Sequence, residues 1–149
     1  GEFHENSKHT TRMPYMKPVY DVLEKNRGKV IYFDFWARWC PPCLAEMEPL
    51  KQLRSKFSTD DLIIYSICVS EPKEQWEECL NEYSLRNRGI ECVHVTDYLG
   101  IDNYQKIRKQ WKIDRMPYYI LINRQGQIID FGTAARPKQD TKKVSCFCI

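Results

Sequence analysis

Val30-Ile31-Tyr32-Phe33-Asp34-Phe35-Trp36-Ala37-Arg38-Trp39-Cys40-Pro41-Pro42-Cys43 is the stretch on which the reading of this chain turns. It begins as a nearly unbroken apolar run, the pattern of a strand covered on both faces. It ends in two cysteines separated by two prolines, just before a helical pattern that starts near Leu44. A helix N-terminus carries unpaired N–H groups and the positive end of the helix dipole. A thiolate placed there is stabilised, so its pKa falls and it becomes a nucleophile near neutral pH. Cys40 is therefore the expected exposed attacker. Cys43, one turn on, is the expected more buried resolver of a mixed disulfide. Pro41 and Pro42 suit the first turn, where an N–H would be unpaired anyway. They also remove two donors to the Cys40 sulfur. That points to a less stabilised thiolate and hence a more reducing pair.

Asp34 is the anomaly in the strand. A buried carboxylate costs several kcal/mol unless paired or protonated, and desolvation raises its pKa toward neutrality. The cysteines close by supply a reason for it, since it can accept the Cys43 proton during resolution. Other uses of the cysteine pair fit worse. A structural zinc site needs a second ligand pair at suitable spacing, and Cys146-Phe147-Cys148 at the far end does not supply one. Covalent haem attachment needs His after the second cysteine, and Leu44 stands there. No motif calls for a metal or other cofactor.

Outward from the pair, Leu44, Met47, Leu50, Leu53 and Phe57 predict a helix over Pro42 to Phe57, kinked at Pro49. Glu46 lies one turn beyond Cys43, in reach of the dithiol. Upstream, Pro18 opens a short helix, Val19 to Asn26, that Gly28 stops. Residues 4–16 are polar and aperiodic and read as a linker or arm. Gly1-Glu2-Phe3 reads as a cleavage and cloning remnant. His4 and His9 sit in that arm without a metal-binding pattern. Downstream, Leu62 to Val69 is a second strand, parallel to the first. A helix follows from Lys73 to about Asn87, with Trp76, Cys79, Leu80 and Tyr83 inward. Cys92 to Val95 is a short strand whose His94 reads as packed and hydrogen-bonded. Asp102 is read as the cap of a helix over Asn103 to Trp111. Met116-Pro117 leads into the strand Tyr118 to Ile122, and a turn at Asn123 to Gly126 returns the chain as Gln127 to Phe131.

The 149 residues suffice for one domain with a real core. Hydrophobic residues are 42% and charged residues 29%, a globular balance. A net charge of +3 argues against nucleic acid as a partner. No apolar run approaches the roughly eighteen residues of a membrane span. There are seven cysteines. Cys68, Cys79 and Cys92 fall inside predicted elements and read as small buried hydrophobes, with a Cys79–Cys92 bridge left open.

The run from Asp34 to Cys43 resembles the thioredoxin superfamily, whose site is Trp-Cys-x-x-Cys after a core strand. Glu46, three residues after Cys43, matches the Cys-x-x-Cys-x-x-Glu pattern of the TlpA/ResA-like branch. The resemblance covers about Lys17 to Arg136. It implies an α/β thioredoxin-like fold, a central mixed sheet flanked by helices, with a helix-plus-strand insertion over roughly Pro72 to Asp97. It implies that Asp34 lies beneath the resolving cysteine and that Pro117 is the cis proline facing the dithiol. The Met116 backbone is then free to pair with an extended substrate strand.

Taken together, the expectation is a thiol-disulfide oxidoreductase acting on protein disulfides, with Cys40, Cys43, Asp34 and Glu46 as its chemistry. Trp36, Trp39, Pro41, Met116 and Pro117 frame its docking surface. The family resemblance adds an upstream thiol electron donor and an extracytoplasmic, periplasmic setting in a bacterium, often with membrane tethering. The alternatives are a thiol peroxidase and a non-catalytic binding module on the same fold. Residues 17–136 form the domain in this reading. Residues 137–149 form a basic cysteine-containing tail, its helix short or absent, and its terminal Cys146-Phe147-Cys148-Ile149 resembles a prenylation box by coincidence.

Overall fold

Val30–Trp36 forms β1, buried along its whole length, and is the middle strand of the sheet in the computed structural model. The structure describes residues 13–148. Residues 1–12, His4 and His9 among them, and Ile149 lie outside the described residues. The sheet has five strands in the order β3-β2-β1-β4-β5. These are β2 (Leu62–Cys68), β3 (Ile90–His94), β4 (Tyr118–Ile122) and β5 (Ile128–Gly132). β1, β2 and β3 run parallel, while β4 is antiparallel to β1 and to β5. This is the mixed sheet expected from sequence, with β3 as an added edge strand.

Side chains alternate along β1. Ile31, Phe33 and Phe35 face one core, with α1 (Lys17–Lys25), the short α5 (Val95–Tyr98) and α6 (Ile101–Gln110) covering it through Val19, Val22, Val95, Tyr104 and Ile107. Tyr32 and Trp36 face the other. That face is covered by α2 (Pro41–Ala45), α3 (Met47–Lys56), α4 (Lys73–Glu82) and α7 (Pro137–Cys148). Met47, Leu50 and Leu53 are fully buried there. Each contributes roughly 1.5–3 kcal/mol of transfer free energy, enough to fix the helix that carries the cysteines.

Several elements differ from their sequence reading. The active-site helix is two helices, broken at Glu46 rather than kinked at Pro49. Proline disrupts the carbonyl four residues back, so the break falls one turn upstream of the ring. The insertion helix α4 stops at Glu82, not Asn87. Ser84 adopts φ +54° and the Leu85 N–H closes onto the Leu80 carbonyl at 2.9 Å, a left-handed helix stop. Gly100, at φ +84°, is the N-cap of α6, and Asp102 sits in the first turn instead. There the dipole favours an acid without a capping bond. In the supposed arm, Pro14–Met16 is a 3-10 turn and Met16 is buried in the core.

The largest difference is at the C-terminus. Pro137–Cys148 is a twelve-residue helix, α7, not a loose tail. Val144 and Cys148 are its buried anchors, packed with Tyr32, Leu50 and Tyr119. Arg124 Nε donates to the Phe147 carbonyl at 3.0 Å, and Lys143 pairs with Asp130 at 3.0 Å. Two anchors at helical spacing, Val144 and Cys148, sufficed because the sheet already offered an apolar face. No helix among the described residues is long and apolar enough to cross a membrane.

Candidate active site

β1 ends at Trp36, and the chain turns through Ala37-Arg38-Trp39 into Cys40, the N-cap of α2. Cys40 and Cys43 are joined as a disulfide, with Cα atoms 5.3 Å apart. The Cys43 N–H donates to Cys40 Sγ at 3.3 Å. Pro41 and Pro42 have no N–H, so this is the donor that the first turn retains for the sulfur. Both sulfurs are shielded in this oxidised state: Cys40 is 4% exposed and Cys43 1%. Cys40 is the more open of the two by a narrow margin, but it is not the exposed cysteine that the sequence led one to expect, because the disulfide turns its sulfur onto Cys43.

The loop before Cys40 is held from the insertion side. The Arg38 N–H donates to Ser70 Oγ at 2.9 Å, and Ser70 Oγ lies 3.3 Å from Cys68 Sγ. The Ser70 carbonyl is 2.8 Å from His94 Nε2. Since His94 Nδ1 accepts from the Thr96 N–H at 3.3 Å, the proton belongs on Nε2 and goes to Ser70. His94 is thus packed and hydrogen-bonded, at the end of the inserted strand. Nothing in the sequence pattern pointed to Ser70 as its partner. Cys68 and Cys79 are buried free thiols and Cys92 is a half-buried one, so the bridge left open between Cys79 and Cys92 is not formed.

Asp34 is 3% exposed and lies on the face of β1 that also carries Tyr32 and Trp36. Its register partners are Ser66 on β2 and Tyr119 on β4. Ser66 Oγ donates to Asp34 Oδ2 at 3.4 Å, while Oδ1 has no hydrogen-bond partner among the described residues. Burial pushes the Asp34 carboxyl from 3.8 up to about 8; the Ser66 bond opposes this weakly and the charge of Glu46 adds to it. Ser66 was missed from sequence. A hydroxyl opposite the one acid of the neighbouring strand was the available signal, and it needed the register to be read.

Glu46 is 8% exposed, at the break between α2 and α3. Its Oε1 accepts the Lys138 N–H, from the first turn of α7, at 3.2 Å. The Glu46 charge acts on Asp34, and Cys40 and Cys43 pack with Trp36, two residues further along β1. The residues assigned to docking divide. Trp39 is 65% exposed, and Pro41 is exposed beside it. Met116 is half-buried and packs on the cluster that contains both cysteines. Pro117 is buried, the Met116–Pro117 peptide is cis, and Thr133 Oγ1 donates to the Pro117 carbonyl at 2.8 Å. Trp36 is 0% exposed. It is no part of a docking surface, because strand alternation turns it inward beneath Cys40, Cys43 and Met47.

The family model described as Redoxin matches residues 17–145. The thiol-disulfide oxidoreductase ResA of Geobacillus kaustophilus is 25% identical over 121 residues, covering 81% of this chain and 64% of that protein. The chain thus spans a little under two thirds of the length of this curated relative. The thioredoxin domain of a Bacteroides vulgatus thiol-disulfide oxidoreductase superposes with a TM-score of 0.72 at 22% identity, covering 85% of this chain and 84% of that one. A thiol:disulfide interchange protein from Bacteroides sp. gives a TM-score of 0.70 at 22% identity, covering 85% and 77%. With its five-stranded mixed sheet and a cysteine pair at the strand-to-helix turn, the chain belongs to the redoxin family and has the thioredoxin-like fold of the ResA-type proteins.

Proposed function

We propose that this domain is a thiol-disulfide oxidoreductase that reduces protein disulfides through Cys40 and Cys43. The observation that carries the reading is the Cys40–Cys43 disulfide at a helix start, with a buried carboxyl poised at about 8 on the strand that leads into it. In the reduced domain the Cys40 thiolate attacks a substrate disulfide. A Cys40–substrate bond forms, the substrate S–S bond breaks, and the leaving thiolate takes a proton from solvent. The Asp34 carboxylate then accepts the Cys43 proton. The Cys43 thiolate attacks Cys40 Sγ, the Cys40–substrate bond breaks, and the second substrate sulfur departs as a thiolate that is protonated from solvent, while Asp34 returns its proton to solvent. Two electrons have passed, and the domain is left oxidised until an upstream thiol donor reduces it.

The single N–H at the Cys40 sulfur supports the reducing direction, since a thiolate with few donors is readily given up to a disulfide. Glu46 acts on the same proton by raising Asp34. Trp39, Pro41 and the Met116-Pro117 backbone receive the substrate strand. Trp36 supports the cysteines from below. The resemblance to the ResA-like branch supports an extracytoplasmic setting in a bacterium, with membrane tethering as in that branch.

The test is the Cys40/Cys43 reduction potential in thiol–disulfide buffers, with exposed Cys146 replaced by Ser. A value below about −230 mV supports the reductant, and one above about −180 mV makes the domain an oxidase or isomerase. A pair that does not cycle leaves a binding module. Turnover of peroxide in place of disulfides makes it a peroxidase.

A further inference from the structure

We infer that the backbone amide of Lys138, in the first turn of the C-terminal helix α7, is a positioning group for the redox site, holding the Glu46 side chain inward against Asp34. The inference rests on the oxidoreductase reading for its purpose, but its geometry stands apart from that reading. Glu46 lies at the break that Pro49 imposes, where the chain is no longer helical and the side chain is released from an exposed helix face. It is nearly buried, and the Lys138 N–H reaches its Oε1 at 3.2 Å across 92 positions of sequence. A buried carboxylate needs such a donor. At the start of a twelve-residue helix the donor is an amide with no intrahelical acceptor, at the positive end of the dipole. The helix is itself fixed by Val144, Cys148, the Lys143–Asp130 pair and Arg124.

Of the groups around Asp34, Glu46 is the one hydrogen-bonded to α7. On β2 stand Ser66 and Cys68, on β3 Cys92, on β4 Tyr119, and at the end of the active-site helix Glu46. Arg136 precedes α7 and acts on Tyr119 from the same side as Asp34 and Glu46. The strand residues are fixed in the sheet. Glu46 is held by its amide partner on α7. Without that partner the carboxylate turns toward water, and its repulsion of a charge on Asp34 is lost.

The experiment compares K138A, which removes the side chain but keeps the amide, with K138P, which removes the amide as well. Proline next to proline in a first helical turn is already used by this chain at Pro41-Pro42, so α7 tolerates the change. The readout is the Asp34 carboxyl titration followed by carbon-13 NMR in the oxidised protein, which needs no turnover. The expected result is a midpoint lower in K138P than in K138A by about half a pH unit or more. E46Q should lower the midpoint as well, and adding K138P to E46Q should move it no further. Equal midpoints in K138A and K138P overturn the inference, as does a K138P shift that persists in the E46Q background. Backbone amide shifts of β1 and of Val144 report whether fold and helix are intact. If α7 undocks in K138P, E46Q with and without K138A decides: a midpoint that E46Q leaves unmoved also overturns it. Failure of the wild-type pair to cycle would overturn the oxidoreductase reading alone and leave these titrations valid.

Discussion

Replacing Asp34 by Asn should convert a pH-dependent stability into a flat one. The carboxyl titrates at about 8 in the folded chain, against 3.8 for an ordinary aspartate. Its folded pKa is raised, so the folded state binds the proton more tightly than the unfolded state. The stability tied to that proton is fully present below pH 3.8 and is lost as pH rises toward 8. Each pH unit inside the window is worth about 1.4 kcal/mol. Between about pH 5 and a pH above 8, wild type should therefore lose roughly 4 kcal/mol relative to D34N. Asn cannot ionise, and its carbonyl still accepts from Ser66 Oγ. Its extra N–H groups cost about 1–3 kcal/mol if unpaired, but equally at both pH values, so the difference between the two pH values isolates the carboxyl. The assay is urea unfolding of the oxidised protein at about pH 5 and about pH 8.5, with Cys146 replaced by Ser in both variants. A D34N-minus-wild-type difference that stays constant to within about 1 kcal/mol would refute the reasoning. Asp34 would then be solvated or paired, and unfit to hold a proton near neutrality.

The remaining expectations follow from the same geometry. C43S should accumulate a mixed disulfide with a disulfide peptide on Cys40, seen by mass spectrometry, whereas C40S should not; the reverse pattern would exchange attacker and resolver. W36A should cost about 3–5 kcal/mol of stability in denaturant unfolding, as expected for a fully buried indole. W39A should change stability by no more than about 0.5 kcal/mol and raise the KM for a protein disulfide, and equal stability losses in the two would show that the burial assignment is wrong. V144A should cost about 2 kcal/mol, and a loss below about 0.5 kcal/mol would return residues 137–148 to the status of a tail.

The parts of the fold legible in sequence were those set by short-range pattern. The nearly unbroken apolar run Val30 to Phe35, the apolar run from Leu62 and the Asn123-Arg124-Gln125-Gly126 turn each announce their own conformation, and the sheet assembles from them. Cys40, Cys43 and Asp34 could be assigned because an acid inside an apolar strand and a cysteine pair at a helix start are unusual in isolation. Trp36 and Trp39 show where that kind of reasoning stops. They are three residues apart, chemically identical and both just upstream of the cysteines. The difference between fully buried and 65% exposed is decided by where β1 ends. A residue still in the strand obeys its alternation, and one in the turn does not.

The site's supports were illegible for a related reason: each joins residues that only the tertiary fold brings together. Ser66 meets Asp34 through strand register, Ser70 meets Arg38 and His94 through the insertion, and Lys138 meets Glu46 through α7. The C-terminal stretch looked too polar to fold because its apolar residues were weighed alone. A helix of this length needs only a narrow stripe when the surface it meets is already apolar, and Val144 and Cys148 supply one against Tyr32, Leu50 and Tyr119. The same misjudgement hid the Glu46 contact. Pro49 signalled a disturbance, but the disturbance falls a turn earlier, at the residue whose carboxylate the C-terminal helix then receives. A single proline thus both breaks the active-site helix and turns an otherwise exposed acid toward Asp34, so P49A should let the helix run through Glu46 and weaken the hold on Asp34 without touching either carboxyl.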